Sequence, residues 1–372
     1  MSGSKKHIVI ICSRLDLPGG IERAIVNTAN LFATKEHKVT LLIADKTADL
    51  FFQLEASVSL EILPLRFGIY GEGNAASRKL NFIKDVRKLT KYLNALLPDL
   101  VIATEYSYSI GAVLAYRRKG IPLFSWEHHH FHHLQKNRFW RFLFRKFYPK
   151  LTGVICLNEE EARLMSSIGC TTYVIPNFIQ QAAQAELNAK NLITIGWLSA
   201  VKGVDQIPAI AEKVFKQFPD WHWTIIGTGD EESWLKSDIQ KRDLQANVSI
   251  SYPVTCQLSA DYVNSAIYVM TSRLECFPMV LLEAMSHGVP VVAFNCPTGP
   301  YYIIQDKVDG LLIERNNISA MADAVMDLIA NEEKRKEYGK AAYQNISRYS
   351  PDKVYALWQA LFDGISSERT SE

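Results

Sequence analysis

The sequence predicts an α/β fold: two doubly wound parallel-sheet domains facing across a cleft. Three observations predict it. Short β-branched apolar runs alternate with amphipathic helices, the pattern of a parallel sheet covered on both faces. The alternation lapses once, over residues 180–190 (QQAAQAELNAK), and then restarts. The 372 residues amount to two domains of ordinary size. The expected division is 1–180, 190–348 and a last helix, 349–372, crossing back to the first domain.

His7–Cys12 (HIVIIC) reads as the first buried parallel strand. The Gly19–Gly20 loop follows, then a helix with Ile21, Ala24, Ile25, Thr28 and Leu31 at helical spacing. Further strands are expected at Val39–Ala44, Leu100–Ala103, Leu123–Ser125 and Val154–Leu157. The second half places strands at Leu192–Ile195, Thr224–Ile226, Val248–Ser251, Tyr268–Thr271, Val291–Ala293 and Leu311–Ile313. Ser350 and Pro351 signal the start of the last helix, whose apolar stripe is Val354, Leu357, Trp358, Leu361 and Phe362. In two such domains the carboxyl ends of the strands meet at the cleft, where ligands bind.

Composition excludes several classes. Hydrophobic residues make up 48% and charged residues 22%, which is globular rather than disordered. No run of 18 apolar residues exists, and no signal-peptide pattern precedes the first strand, so a cytoplasmic protein is expected. The six cysteines are scattered without a C-x-x-C pair and read as buried thiols. Charge is uneven. Residues 1–178 hold 24 Lys/Arg against 15 Asp/Glu, and residues 179–372 hold 17 against 24. The first half is therefore +9 and the second −7. That split suits a protein with one face on an anionic surface.

Five places carry chemistry. Glu275–Glu283 (ECFPMVLLE) follows a strand and places Pro278 at a helix start, so the amides of Met279 and Val280 open an anion site. Glu275 falls in the loop before that helix and Glu283 about one and a half turns into it. On spacing alone the pair reads equally as two solvated glutamates. Lys202 follows the strand Leu192–Ile195; alone it is a loop lysine. Gly19 and Gly20 allow close backbone approach at a helix start, although G-x-G-x-x-G, and with it a nicotinamide fingerprint, is absent. The run Glu127–His130, with His132 and His133 behind it, suggests a metal. Alternation along a strand, the lack of ligand spacing and the lack of any D-x-D argue against one, so no metal is expected. Phe131–Lys150 holds six Lys/Arg and no acid between aromatic residues, and Arg78–Leu97 holds six Lys/Arg against one Asp. Such stretches read as an interfacial membrane segment or as solvated basic faces. The proposed membrane or acceptor face is Lys136, Arg138, Trp140, Arg141, Arg145 and Lys146, with the loop Gly68–Lys79 as a possible cover.

The stretch ECFPMVLLEAMSHGVPVVAFNCPTGP (275–300) resembles the donor-binding signature of family 4 retaining glycosyltransferases, enzymes of the GT-B fold with two Rossmann-like domains. The resemblance extends to residues 19–31 (GGIERAIVNTANL), 125–128 (SWEH), 176–178 (PNF), 196–203 (GWLSAVKG) and 225–232 (IIGTGDEE). It implies a donor site of Gly19, Gly20, Trp197, Lys202, Pro253, Val254, Phe277, Pro278, Met279, Val280 and Glu283. Glu283 would bind the ribose, Glu275 the donor sugar and Lys202 the diphosphate. His128, with His129 or His130 as alternatives, would reach a donor hydroxyl. The catalytic set is then His128, Glu275 and Lys202. Family members hold the diphosphate with an Arg five residues before the Lys; here that position is Trp197, and Arg273 is the substitute the sequence offers.

The resemblance further implies a UDP-sugar co-substrate, no other cofactor, and transfer of a hexose or N-acetylhexosamine to a lipid-linked or lipopolysaccharide-type glycan. Attack on the face that the diphosphate leaves, with a phosphate oxygen taking the acceptor's proton, would retain configuration. The partners expected are the nucleotide sugar, the membrane-associated acceptor and an anionic bilayer at the inner face of the cytoplasmic membrane; nucleic acid is not expected. A GT-B-fold sugar-nucleotide epimerase and a non-catalytic sugar-nucleotide-binding partner in polysaccharide assembly remain open alternatives.

Overall fold

The computed structural model describes residues 5–45, 49–67, 75–116, 121–132, 138–252 and 258–370. The chain divides into two compact units, residues 1–176 with 354–372 and residues 177–353. Among the described residues the first unit carries β1 (His7–Cys12), β2 (Lys38–Ile43), β3 (Ser59–Ile62), β4 (Leu100–Ala103), β5 (Leu123–Trp126), β6 (Gly153–Cys156) and β7 (Thr172–Val174). They form one sheet in the order β3-β2-β1-β4-β5-β6-β7, with parallel pairing throughout. The second unit carries β8 (Asn191–Ile195), β9 (His222–Ile226), β10 (Val248–Ser251), β11 (Ile267–Met270), β12 (Val291–Phe294) and β13 (Gly310–Ile313). Their order is β10-β9-β8-β11-β12-β13, again parallel.

Both sheets start in the middle, at β1 and β8, and reverse direction of growth once. This is the doubly wound arrangement, whose switch point lies at the carboxyl ends of the strands. Each unit has its own core. Val9, Ile11, Leu42, Val101 and Val154 anchor the first, and Leu192, Trp223, Ile225, Val269 and Val292 the second. The inner strands β4, β5, β6, β11 and β12 are buried throughout because helices cover both faces, which is why they read as continuous apolar runs.

Two strands escaped the sequence reading. β3 and β7 are the edges of their sheet, and their residues are partly or largely exposed. An exposed edge needs no apolar run, so no signal marks it. The stretch 180–190, read as a linker, is fastened to the second unit: the amides of Ala182 and Ala185 donate to the carbonyls of Ser286 and His287. His287 Nδ1 pairs with Ala183 O at 2.7 Å, and the Arg335 guanidinium holds Leu187 O. Lack of apolar periodicity there reflects backbone anchoring, not freedom.

The last helix, Pro351–Thr370, begins at the expected proline. Trp358 lies edge-on to Phe32 at 5.1 Å and to Trp126 at 5.6 Å, and Phe362 packs on Phe32 at 5.5 Å. Leu357, expected on the buried stripe, is exposed instead. Five cysteines (Cys12, Cys156, Cys170, Cys276 and Cys296) are buried and free; Cys256 lies outside the described residues.

Candidate active site

The second unit brings the start of the long motif against the lysine loop. β8 ends at Ile195 and the chain then turns through Gly196 into a short 3₁₀ turn, Ala200–Lys202. The next loop of the sheet edge, Gly227–Gly229, packs directly on it. A Cβ at Gly227 would lie 1.9 Å from Gly196 O, and one at Gly229 2.3 Å from Leu198 O. The glycines of the GTG motif are therefore required by close backbone approach.

β11 ends at Met270 and leads through residues 271–278 to the helix Met279–Ser286. Pro278 caps this helix, with φ −69° and ψ 109°, one residue before the position that the sequence suggested. The helix stops at Ser286 because Gly288 adopts φ 71°. The opening amides of Met279 and Val280 have no intrahelical acceptor. Glu275 is 9% exposed. Its Oε1 accepts from Lys202 Nζ at 2.6 Å and from Ser272 Oγ at 2.7 Å. Its main chain is stapled by the amides of Thr298 and Gly299, which donate to Glu275 O. Two residues 73 positions apart thus meet, and one pocket is lined by Trp197, Lys202, Tyr268, Ser272, Glu275 and Val280. Glu283 is buried a turn deeper and accepts from the Tyr262 hydroxyl at 2.9 Å. Phe277 is buried against Tyr349. Pro253 and Val254 lie outside the described residues.

Arg273, the substitute that the sequence offered for the missing arginine, is held by partners of its own. Its guanidinium forks onto Asp205 and donates to Ala200 O, all at 2.6 Å. Trp197, half exposed, lines the pocket where the arginine was expected. Sequence reasoning also missed Ser272, Tyr262 and Tyr268. Ser272 stands three residues before Glu275 and had a local signal; the tyrosines come from other elements and had none.

The other predicted residues stand on the first unit. Gly19 caps the helix Gly20–Thr34, and a Cβ there would lie 2.0 Å from Glu22 Oε2. The space beside Gly19 therefore holds the end of a glutamate side chain. His128 follows β5 and is 6% exposed. Its ring lies 4.3 Å from that of Trp126, and its buried Nε2 makes no hydrogen bond among the described residues. Burial, then the neighbouring His129, pushes its pKa down to about 3, so the ring is neutral at physiological pH. His130 is committed elsewhere: its Nδ1 accepts from the His132 amide and lies 3.8 Å from Glu161. His133 lies outside the described residues. Among the described residues, no group of three His, Cys, Asp or Glu side chains is arranged to hold a metal ion.

Glu105, which no motif marked, lies under the influence of Glu127 and Glu22 on this unit. Glu127 is buried and accepts from Ser125 Oγ at 2.6 Å and from the Tyr148 hydroxyl. Burial, then Glu127 and Glu22, pushes the Glu105 carboxyl up to about 7. Glu105 therefore binds its proton more tightly folded than unfolded, where its pKa is 4.5. The stability that its protonated form contributes is complete below pH 4.5 and is lost as pH rises through about 7. Glu105→Gln, neutral throughout, is expected to raise stability by about 1–3 kcal/mol at pH 8 and far less at pH 5. Denaturant melts at the two pH values check this; equal differences at both would refute the coupling. His128 runs the other way: its neutral form favours folding above pH 6.5, and that contribution is lost as pH falls toward 3.

The proposed membrane face is corrected in one residue. In the helix Arg138–Phe147, Trp140 is 4% exposed and meets Phe82 and Tyr106 edge-on. It is a core residue. The exposed apolar side chains are Phe139 and Phe142, beside exposed Arg138, Arg141, Arg145 and Lys146. Lys136 and residues 68–74 lie outside the described residues. Among the described residues, no helix is long and apolar enough to cross a membrane.

Comparison with known proteins gives the family and the fold. Residues 18–182 match the model of glycosyltransferase family 4, and residues 177–345 that of glycosyl transferases group 1. The chain is 28% identical to an uncharacterized glycosyltransferase of Haemophilus influenzae, over 96% of this chain and 99% of that one. It is 24% identical to a lipopolysaccharide 1,6-galactosyltransferase of Escherichia coli, over 67% of this chain and 70% of that one. A mutant of TarM from Staphylococcus aureus, solved with fondaparinux, alpha-GlcNAc-glycerol and UDP, superposes with a TM-score of 0.82 at 17% identity, over 96% and 99% of the two chains. HepE of Anabaena, solved with UDP-glucose, gives 0.75 at 16%, over 99% and 100%. At these identities the structural likeness fixes the fold, which is GT-B. The chain belongs to the glycosyltransferases defined by these two models, family 4 over its first half and group 1 over its second.

Proposed function

We propose that this glycosyltransferase is a retaining, metal-independent hexosyltransferase of the family 4 type. It takes a hexose or N-acetylhexosamine from a UDP-sugar and places it on a hydroxyl of a lipid-linked or lipopolysaccharide-type glycan. The observation that carries the reading is the Lys202–Glu275 contact beside the opening of the helix Met279–Ser286. An ammonium and free amides there favour the charge that builds on a departing diphosphate. Glu275 is assigned to the donor sugar and Glu283 to the ribose. On the first unit, neutral His128 offers an uncharged nitrogen to a sugar hydroxyl.

In this mechanism the bond from the sugar carbon to the phosphate oxygen breaks and the acceptor oxygen bonds on the same face. The acceptor's proton passes to the leaving phosphate oxygen, so no protein base is required. The lipopolysaccharide galactosyltransferase relative and the UDP in the solved neighbours support the acceptor and nucleotide assignments. A thermal-shift panel of UDP, GDP and ADP tests the donor. At 100 times its dissociation constant, UDP is expected to add about 2.7 kcal/mol of stability. A shift with GDP or ADP and none with UDP would overturn the assignment. Isomer formation from UDP-sugars without acceptor would favour the epimerase reading.

The exposed Phe139 and Phe142, set among four basic side chains, support peripheral binding to an anionic bilayer. Phe139→Ser with Phe142→Ser is expected to weaken sedimentation with phosphatidylglycerol vesicles at least tenfold, at roughly 1.4 kcal/mol or more. Unchanged sedimentation would remove this face from the account.

A further inference from the structure

We infer that Arg273 and Asp205 form a positioning pair that fixes Lys202 in the pocket, and that Arg273 is not itself a ligand of the diphosphate. The inference rests on the donor-site reading above and adds the part that holds its cation in place. Lys202 closes a three-residue 3₁₀ turn, Ala200–Lys202. Such a turn has little rigidity of its own. An ammonium on a four-carbon stem stabilises developing charge well only if it is placed beforehand.

The structure supplies that placement from one neighbouring segment, residues 271–273. Three consecutive carbonyls of the turn are taken: Ala200 O by Arg273 Nη1 at 2.6 Å, Val201 O by the Arg273 amide at 2.8 Å, and Lys202 O by Thr271 Oγ1 at 3.1 Å. Asp205, just beyond the turn, receives both guanidinium nitrogens at 2.6 Å, a bidentate fork. Gly203 between them adopts φ 65°, and a Cβ there would lie 2.1 Å from Thr271 O. The two loops therefore behave as one clamp around the lysine stem. Lys202, Val204, Thr271, Ser272 and Glu275 all line the pocket, whereas Arg273 and Asp205 do not. The fork faces the turn and not the space for a ligand.

The pair is about one-third exposed, so its value lies in geometry rather than in net ion-pair strength. Lys cannot reproduce a fork, and Asn cannot keep the charge. In ligand-free protein, Arg273→Lys and Asp205→Asn are each expected to speed amide exchange at Lys202, Gly203 and Gln206 at least about tenfold. Exchange in the helix Ile207–Gln217 should stay as in wild type, which reports an intact fold. With UDP as the probe, each variant is expected to weaken binding about tenfold, while uridine binding is unchanged. On a Lys202→Ala background, Arg273→Lys should add less than about twofold.

Multiplying losses would show that Arg273 touches phosphate itself, and unchanged exchange in both variants would show that the turn needs no clamp. Either result overturns the inference. Failure of wild-type protein to bind UDP would instead overturn the donor assignment, and the exchange measurement would then decide the positioning role alone.

Discussion

Lys202→Ala is expected to lower kcat by about 10²–10³-fold, with a much smaller change in the donor KM. The argument is one of timing. In the resting protein the ammonium already has a counter-ion, Glu275 Oε1 at 2.6 Å. Its attraction to a bound diphosphate is therefore partly offset. As the sugar–phosphate bond breaks, charge grows on the leaving oxygen, and only then does the ammonium gain more than it held before. An interaction of that kind appears in kcat. The same substitution strands a carboxylate that is 9% exposed, so a loss of melting temperature is also expected. Steady-state kinetics measured well below that melting temperature separate the two effects. A kcat within threefold of wild type would refute the role.

Glu275→Gln is expected to have the opposite profile on binding. Glutamine keeps the size of the side chain and an acceptor for Ser272 Oγ, but releases Lys202 from a competing charge. UDP affinity should hold or rise, by up to about tenfold, because a charged hydrogen bond no longer has to be exchanged. Transfer should nonetheless fall by at least about 10²-fold, since the carboxylate assigned to the donor sugar is gone. Isothermal titration with UDP and a product assay measure the two quantities on one protein. Intact transfer would show that Glu275 serves only to hold the lysine.

Much of this was legible before any coordinates. β1, β4 and β10 fall on the residues expected from the sequence, and the other strands named there within a residue or two. Burial on both faces writes itself into sequence as an unbroken apolar run. The edges β3 and β7 were invisible because they are not so buried. At the site, Glu275, Glu283 and the helix opening came from one contiguous motif, but no spacing rule joins Lys202 to them. Fold topology does that, by setting β8 beside β11.

The misreadings share one cause. Arg273 was judged by charge and Trp140 by chemical type, yet partners decide both. Asp205 claims the first, and Phe82 with Tyr106 encloses the second. Helical period places Trp140 on the inner face and its neighbours Phe139 and Phe142 outside, a distinction that composition cannot draw. The carboxylates Glu22, Glu105 and Glu127 come from three separate elements, so their mutual influence had no linear trace.

The last helix has a practical consequence for hybrids between relatives. Trp358 and Phe362 fill the slot beside Phe32 and Trp126, so the first unit is built from two separate stretches of chain. A chimera that exchanges the second unit therefore needs two crossovers, one near residue 176 and one near 353. A single crossover would pair one parent's socket with the other parent's plug.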